Sequence, residues 1–216
     1  MKKIIIIDGG PRKNFNTASM LNKFAEGALS LNGNVEVKTI RLYDLDYKGC
    51  MSCMACKIKG KVSNVCKFPD ALKPLLEEVS QADALVMGSP IYFSEVTAQL
   101  RAFLERLIFP WLSYNDNSIT APKRMPVVLC YTMNSPAEQA AMVYKSMAIV
   151  ENCLERGLGT PRRMDAFFTY QVKNYDNYEL KGFSEPQKRE YRDTHWEKDL
   201  QHAFDTGRQI AEEICQ

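Results

Sequence analysis

The sequence lacks the features that mark membrane, secreted and nucleic-acid-binding proteins. No apolar run approaches the roughly 20 residues of a membrane-spanning helix, and the apolar stretch after Lys2 and Lys3 is far too short for a signal peptide. The 28 basic and 26 acidic residues leave a net charge of +2, with no basic run of the kind that nucleic acid selects. We therefore expect a cytoplasmic protein without a membrane or nucleic-acid partner.

Other absences narrow the class of ligand and the domain organisation. The glycines after the first apolar run do not form Gly-x-Gly-x-x-Gly, and no Gly-Lys-Ser/Thr follows, so neither the dinucleotide fingerprint nor the Walker loop is present. Internal repeats and low-complexity linkers are missing as well. At 216 residues and 45% hydrophobic content, the chain is expected to form one domain over residues 1–216.

Five apolar stretches predict β-strands that alternate with amphipathic helices. The first is a run of four isoleucines, which cannot alternate between core and solvent and so indicates a parallel strand covered on both faces. The other strands are predicted at residues 35–40, 84–88, 127–131 and 166–170. This alternation predicts an α/β fold with a doubly wound five-stranded parallel sheet in the flavodoxin-like order 2-1-3-4-5. Its ligand is expected beyond the carboxyl ends of strands 1, 3 and 4.

The turn after the first strand has the composition of a phosphate-binding loop. Two glycines and a proline shape it, two basic residues add positive charge, and either of two polar residues can cap the next helix: Gly9, Gly10, Pro11, Arg12, Lys13, Asn16 and Thr17. The first amides of that helix lie at the positive end of its dipole and have no partner within the helix. A monophosphate is the predicted ligand. The alternative is an ordinary turn with two basic surface residues.

Residues 43–69 form a cysteine-rich insertion without a long periodic segment. It contains a Cys-x-x-Cys-x-x-Cys motif and a fourth cysteine ten positions on, namely Cys50, Cys53, Cys56 and Cys66. This spacing can present three thiolates to an iron-sulfur cubane and close the site with the last cysteine. Zinc fits less well, because structural zinc sites more often use two separated Cys-x-x-Cys pairs or histidines. The remaining alternatives are a motif without metal, or a redox dithiol formed by Cys53 and Cys56.

Three stretches of the chain resemble the NAD(P)H-dependent FMN reductase family. They are residues 9–17, residues 88–94 with the helix after them, and the cysteine motif with Asp70 downstream, which is similar to the iron-sulfur flavoprotein branch. The resemblance covers about the first 135 residues. Two departures stand out, since Gly10 replaces a serine that relatives usually have and Phe15 replaces a glycine.

The resemblance implies that three loops hold FMN, the first at its phosphate and the other two at its ring. The residues implied are Gly9, Pro11, Arg12, Asn16 and Thr17 from the first loop, Pro90, Ile91, Tyr92, Phe93 and Ser94 from the second, and Thr132 and Asn134 from the third. An aromatic residue after a buried strand usually closes the core. At the carboxyl end of the strand, however, Tyr92 and Phe93 can stack on a flat heterocycle.

The resemblance also implies an activity. Electrons would pass from NADH or NADPH through FMN to a quinone, a free flavin or a similar small acceptor, without a catalytic acid or base from the protein. The alternative is an iron-sulfur flavoprotein that exchanges single electrons with ferredoxin and holds a 4Fe-4S cluster on the four cysteines. Further rivals are a simple flavodoxin and a regulatory protein without flavin. The resemblance further implies a homodimer or homotetramer, and Trp111, Leu112 and Tyr114 are the predicted contact residues.

Overall fold

The computed structural model describes residues 1–31, 33–182 and 185–216. Five parallel strands form one sheet in the order β2-β1-β3-β4-β5, which confirms the predicted flavodoxin-like topology. The strands are β1 (Lys2–Asp8), β2 (Val35–Arg41), β3 (Ala84–Pro90), β4 (Val127–Thr132) and β5 (Arg162–Ala166).

Helices cover both faces of this sheet. In the described part of the chain they are α1 (Asn16–Leu29), α2 (Leu72–Val79), α3 (Ala98–Ile108), α4 (Ala140–Gly157), α5 (Glu185–Tyr191) and α6 (Glu197–Cys215). The core on one face contains apolar residues of α1 and α6, and the core on the other contains those of α2, α3 and α4. None of the described helices is both long and apolar enough to cross a bilayer.

The four isoleucines of β1 explain why this strand lies inside the sheet. All four are fully buried, as predicted. Ile5 and Ile7 belong to the core against α2, α3 and α4, whereas Ile4 and Ile6 belong to the core against α1 and α6. When helices cover both faces of such a strand, its apolar side chains are removed from water, which stabilises the fold. β1 therefore pairs with β2 on one side and with β3 on the other.

The fifth strand lies four residues before its predicted position. The prediction placed it at 166–170, but β5 is Arg162–Ala166. Among the residues that the structure describes, this strand pairs only with β4, and Arg162 and Arg163 are exposed, so it lacks the apolar run of a central strand. The more apolar residues after Ala166 leave the sheet, and Phe168 has a left-handed backbone (φ 42°). They cross the carboxyl edge of β4 instead, where the Thr169 amide donates to the Met133 carbonyl at 2.9 Å.

Two predictions about α1 need correction or fall outside the structure. The residue at its N-terminal cap is Phe15, and neither Asn16 nor Thr17 caps the helix. The sequence predicts that residues 32–34 end this helix; α1 ends at Leu29, and Asn32 lies outside the described residues.

Close packing of α1 against α6 depends on two glycines. A Cβ atom on Gly27 would lie 1.9 Å from the carbonyl oxygen of Phe204, and one on Gly207 would lie 2.0 Å from that of Phe24. Both distances are far inside van der Waals contact, so the two backbones approach each other only because these positions carry no side chain.

We expect Gly207→Ala to lower the free energy of unfolding by about 1–3 kcal/mol, because the added methyl group pushes two packed helices apart. The loss would come in spite of the roughly 1 kcal/mol that alanine gains over glycine in a helix. Urea unfolding monitored by circular dichroism measures the difference. Gly182→Ala is the matched control, since a Cβ there meets nothing within 4 Å. Equal losses in the two variants would contradict the close-packing role.

Candidate functional site

The carboxyl ends of β1, β3 and β4 open on a cavity of about 440 Å³. This volume is within the range of pockets that take a cofactor-sized ligand. Ten of the twelve residues named as cofactor ligands line it: Pro11, Arg12, Asn16, Thr17, Pro90, Ile91, Tyr92, Phe93, Thr132 and Asn134. Gly9 and Ser94 do not line the cavity.

A buried carboxylate shapes the first loop. Asp8, the last residue of β1, accepts a hydrogen bond from the Gly10 amide at 2.7 Å. Burial raises the pKa of Asp8, although this hydrogen bond and the nearby Arg41 act in the opposite direction. A Cβ on Gly10 would lie 2.9 Å from the Asp8 carboxylate. A Cβ at this position would therefore require the Asp8 carboxylate to shift, and glycine leaves room for the turn that Asp8 holds.

A buried threonine joins the first loop to the second. The Thr97 hydroxyl donates to the Gly9 carbonyl at 2.7 Å, and the Thr97 amide donates to the Ser89 hydroxyl at 2.9 Å. The Gly9 amide donates to the Gly88 carbonyl at 2.8 Å. Gly9 thus lies behind the cavity and fixes the spacing of its walls. Thr97 also caps α3, and a threonine just before an apolar helical run is the signal that could have identified it.

The residues after β5 form a wall of the cavity that the sequence prediction missed. Thr169, Tyr170 and Gln171 line it, because the strand that was predicted to include the first two ends at Ala166. This wall binds side chains of the first loop. The side-chain amide of Asn16 donates to the Tyr170 carbonyl at 2.7 Å, and the Arg12 guanidinium donates to the Gln171 carbonyl.

The first and third loops also meet across the cavity floor. The hydroxyls of Thr17 and Thr132 are 2.7 Å apart and buried. The Arg12 guanidinium stacks on the Phe15 ring at 3.7 Å from its centroid, a cation–π arrangement that holds its charge near the loop. Phe15 therefore has a packing role here, whereas a glycine would leave the guanidinium without this contact.

Two aromatic residues stand at the mouth of the cavity instead of closing the core. Tyr92 is 44% exposed and Phe93 is fully exposed. Phe93 and Ser94 both have left-handed backbone conformations, with φ of 52° and 64°. Such conformations are unfavourable for residues other than glycine and often occur at functional sites. The core interpretation of these aromatics is therefore wrong.

The four cysteines of the insertion line a second cavity, between residues 50–68 and α3. Cys56 is buried, Cys50 and Cys66 are half-buried, and Cys53 is exposed. All four are free thiols. In the described ranges, no group of three or more His, Cys, Asp and Glu side chains is arranged to hold a metal ion. The structure thus brings the four predicted ligands to one cavity without a formed metal site.

One arginine holds both ends of this insertion. Arg106, on α3, is buried, and its five N–H groups have five acceptors. Two are the carboxylate oxygens of Asp70, at 2.7 and 2.9 Å, and the others are the Lys48 carbonyl, the Phe68 carbonyl and the Cys66 sulfur, which lies 3.0 Å from Nε. The hydrogen bonds from Arg106 hold the pKa of Asp70 below its usual value. The sequence analysis assigned no role to Arg106, which belongs to the helix after residues 88–94 that the family resemblance includes.

The predicted contact residues after α3 divide into two kinds. Trp111 is 4% exposed and packs in the core of its own chain, so its prediction as a contact between subunits is wrong. A Cβ on Gly157 would lie 2.8 Å from the Trp111 ring, which shows how closely α4 covers it. Tyr114 is 64% exposed and Leu112 is half-buried.

Comparison with known proteins identifies the family. The profile described as NADPH-dependent FMN reductase matches residues 2–154. The chain belongs to this family. An iron-sulfur flavoprotein of Archaeoglobus fulgidus is 34% identical over 166 residues, which cover 72% of this chain and 77% of the relative. An iron-sulfur flavoprotein of Methanocaldococcus jannaschii is 36% identical over 104 residues, which cover 48% of this chain and only 51% of the relative.

Similarity to solved structures extends to the whole fold. The NAD(P)H:quinone oxidoreductase from Methanothermobacter marburgensis superposes with a TM-score of 0.69 over 96% of this chain and 98% of its own. Its sequence is 16% identical, a level at which the likeness concerns the fold alone.

We expect Arg106→Lys to lower the free energy of unfolding by about 3–5 kcal/mol, because an ammonium cannot reproduce the planar five-donor fork and leaves buried acceptors unpaired. Chemical denaturation measures the loss, and limited proteolysis should cut residues 48–70 faster. Arg101→Lys is the matched control on the same helix. Arg101 is exposed, and its guanidinium lies 3.8 Å from the Glu95 carboxylate, which makes a weak surface ion pair. An Arg106→Lys variant as stable and as protease-resistant as Arg101→Lys would refute the clamp.

Proposed function

We propose that the cavity at the carboxyl edge of the sheet binds FMN, and that the protein passes electrons from NADH or NADPH through it to a quinone, a free flavin or a similar small acceptor. One observation carries this proposal. A chain of the FMN reductase family has, at the carboxyl edge of its sheet, a cavity of cofactor size into which three separate loops bring cationic, hydroxyl, aromatic and amide side chains. The flavin, when bound, supplies the acceptance of hydride and the transfer of electrons.

The phosphate end of the site is supported by the start of α1. Phenylalanine has no side-chain acceptor, so Phe15 at the N-cap leaves the first amides of the helix available to an anion. Arg12 supplies a positive charge next to them, held by Phe15 and the Gln171 carbonyl. Thr17 lines the same cavity. These groups fit a phosphate in charge and in donor type.

The ring end is supported by the second and third loops. The Ile91 amide donates to the Thr132 carbonyl at 3.0 Å, which ties the two loops together below the cavity. Tyr92 and Phe93 add flat apolar surface at its mouth, where a heterocycle can stack and exclude water. The only charged residue among those that line the cavity in the described structure is Arg12. We therefore assign the protein the tasks of binding and orienting, and no catalytic acid or base.

The test is the visible spectrum of protein purified without oxygen, before and after NADPH. A flavin band that bleaches on addition of NADPH is the expected result, and a preparation that neither retains nor rebinds FMN would sink the proposal. Arg12→Met should weaken FMN binding at least tenfold with little effect on riboflavin, which lacks the phosphate; a charge-assisted hydrogen bond has about this value. Lys13→Met, an exposed neighbour in the same loop, is the control.

A second candidate function rests on the cysteine cavity. We propose that Cys50, Cys53, Cys56 and Cys66 hold a 4Fe-4S cluster, which would let the protein exchange single electrons with a partner such as ferredoxin. Four thiols around one cavity match the donor set of such a cluster. The insertion also has left-handed residues between its cysteines, Ser52 (φ 54°) and Met54 (φ 57°), which coil the backbone tightly around the thiols. The relatives from Archaeoglobus fulgidus and Methanocaldococcus jannaschii described above carry the name iron-sulfur flavoprotein.

Iron and acid-labile sulfide in the same anaerobic preparation decide this second candidate. About four of each per chain is the expected result, with a broad long-wavelength shoulder that dithionite bleaches. Cys53→Ser should abolish the shoulder, whereas Cys215→Ser, which changes an exposed cysteine at the end of α6, should not. A preparation without iron after reconstitution would make the cysteines plain thiols.

The assembly of the chain also belongs to the proposal. We propose a homodimer or homotetramer in which another copy covers the mouth of the cavity. The full exposure of Phe93 at that mouth supports a covered state in the assembly, since large apolar side chains in such positions often mark interaction sites.

A further inference from the structure

A fully buried lysine lies directly behind the wall of the cavity. Lys188, on α5, is 0% exposed. Its ammonium donates to the backbone and side-chain oxygens of Asn134 and, at 3.3 Å, to the backbone carbonyl of Thr169. Both of these acceptor residues line the cavity. The cation is therefore one residue away from any ligand bound there, although it does not itself reach the surface of the cavity.

The positive charge of Lys188 loses hydration free energy because the side chain is fully buried. Burial lowers the pKa of Lys188 to about 8, so the ammonium is still the main form at neutral pH. Its hydrogen bonds have a structural role, because the oxygens of Asn134 and the Thr169 carbonyl would lose a donor if an apolar side chain replaced it. The positive charge has a second effect that these hydrogen bonds do not require, since it would stabilise a ligand that gains negative charge in the cavity.

The lysine also fixes the orientation of a side chain in the third loop. An ammonium can only donate, so the atom of the Asn134 amide that meets it is the oxygen. The NH2 group of the Asn134 side chain is then the group that can donate to a ligand in the cavity. Asn134 is therefore set as a hydrogen-bond donor by a residue that sequence patterns did not point to.

We propose that Lys188 is a positioning residue of the flavin site: it fixes Asn134 as a donor and places a positive charge behind it, so that reduced flavin binds more tightly relative to oxidised flavin. This inference rests on the proposed FMN site. A hydride brings two electrons and one proton to the neutral ring, so the reduced ring carries one negative charge until a second proton arrives. The charge of Lys188 attracts the reduced ring and has little effect on the oxidised one.

The expected effect is a change in the ratio of the two dissociation constants. Removal of one nearby buried charge should weaken binding of reduced FMN relative to oxidised FMN by about tenfold. Because the two constants and the reduction potential form one thermodynamic cycle, this lowers the potential of the bound flavin by about 30 mV for a two-electron couple.

The experiment compares the wild-type chain with Lys188→Met and Lys188→Gln, which both lack the charge. The potential of bound FMN is measured at pH 7 by equilibration with a dye of known potential, and circular dichroism establishes that each variant is folded. Both variants should show the lowered potential, and either one suffices if the other does not fold. Lys198→Met, which removes an exposed charge from α6, should keep the wild-type potential.

The possible results separate this inference from the proposed function. A folded Lys188 variant with the wild-type potential would overturn the inference while the FMN site stands. Equal weakening of oxidised and reduced FMN would also overturn it, because a merely structural role predicts that outcome. A wild-type chain that binds no FMN would instead remove the proposed function, and this inference with it.

Discussion

The hydrogen bond from the Thr97 hydroxyl to the Gly9 carbonyl is the contact on which the geometry of the cavity depends. At the carboxyl edge of a parallel sheet, backbone groups just beyond the strands have no partner in the ladder and must find one elsewhere. Both backbone groups of Gly9 have partners, because its amide donates to the Gly88 carbonyl and its carbonyl accepts from the Thr97 hydroxyl. The Thr97 hydroxyl also accepts a hydrogen bond from the Leu100 amide, and the Thr97 backbone amide donates to the Ser89 hydroxyl. One residue thus couples the first loop, the second loop and the start of α3, through its hydroxyl and its backbone amide.

The cysteine insertion is held by a different kind of force. It contributes few residues to the two hydrophobic cores, and its ends are fixed mainly by the Arg106 guanidinium. A buried ion pair gives little net stability compared with apolar packing, but its hydrogen bonds form only when the two groups have a defined relative orientation. In the orientation that Arg106 adopts here, its Nε–H donates to the Cys66 sulfur. One thiol is therefore fixed relative to α3, and a second cysteine is tied to the same helix because the Cys50 amide donates to the Glu105 carboxylate at 3.1 Å.

The sequence was sufficient for the sheet order because the central strands have strong local patterns. β5 was misplaced because an edge strand with Arg162 and Arg163 has a weaker apolar pattern than the residues that follow it. That single shift concealed a wall of the cavity, since residues 169–171 were treated partly as strand. Burial of Trp111 and Lys188 was not predictable for another reason. It follows from contacts with α4 and with the third loop, which are distant in sequence.

Two cations of the proposed flavin site act on different properties, although each contributes one positive charge. Arg12 lies at the end assigned to the phosphate, which is negative in both redox states, so its attraction favours the oxidised and the reduced cofactor alike. Binding that is uniform in this way raises affinity and leaves the potential unchanged. Lys188 lies behind the end assigned to the ring, whose charge changes on reduction. A positive charge placed there favours the reduced cofactor over the oxidised one. The distance between a cation and the group whose charge changes therefore decides whether the cation sets the affinity or the reduction potential.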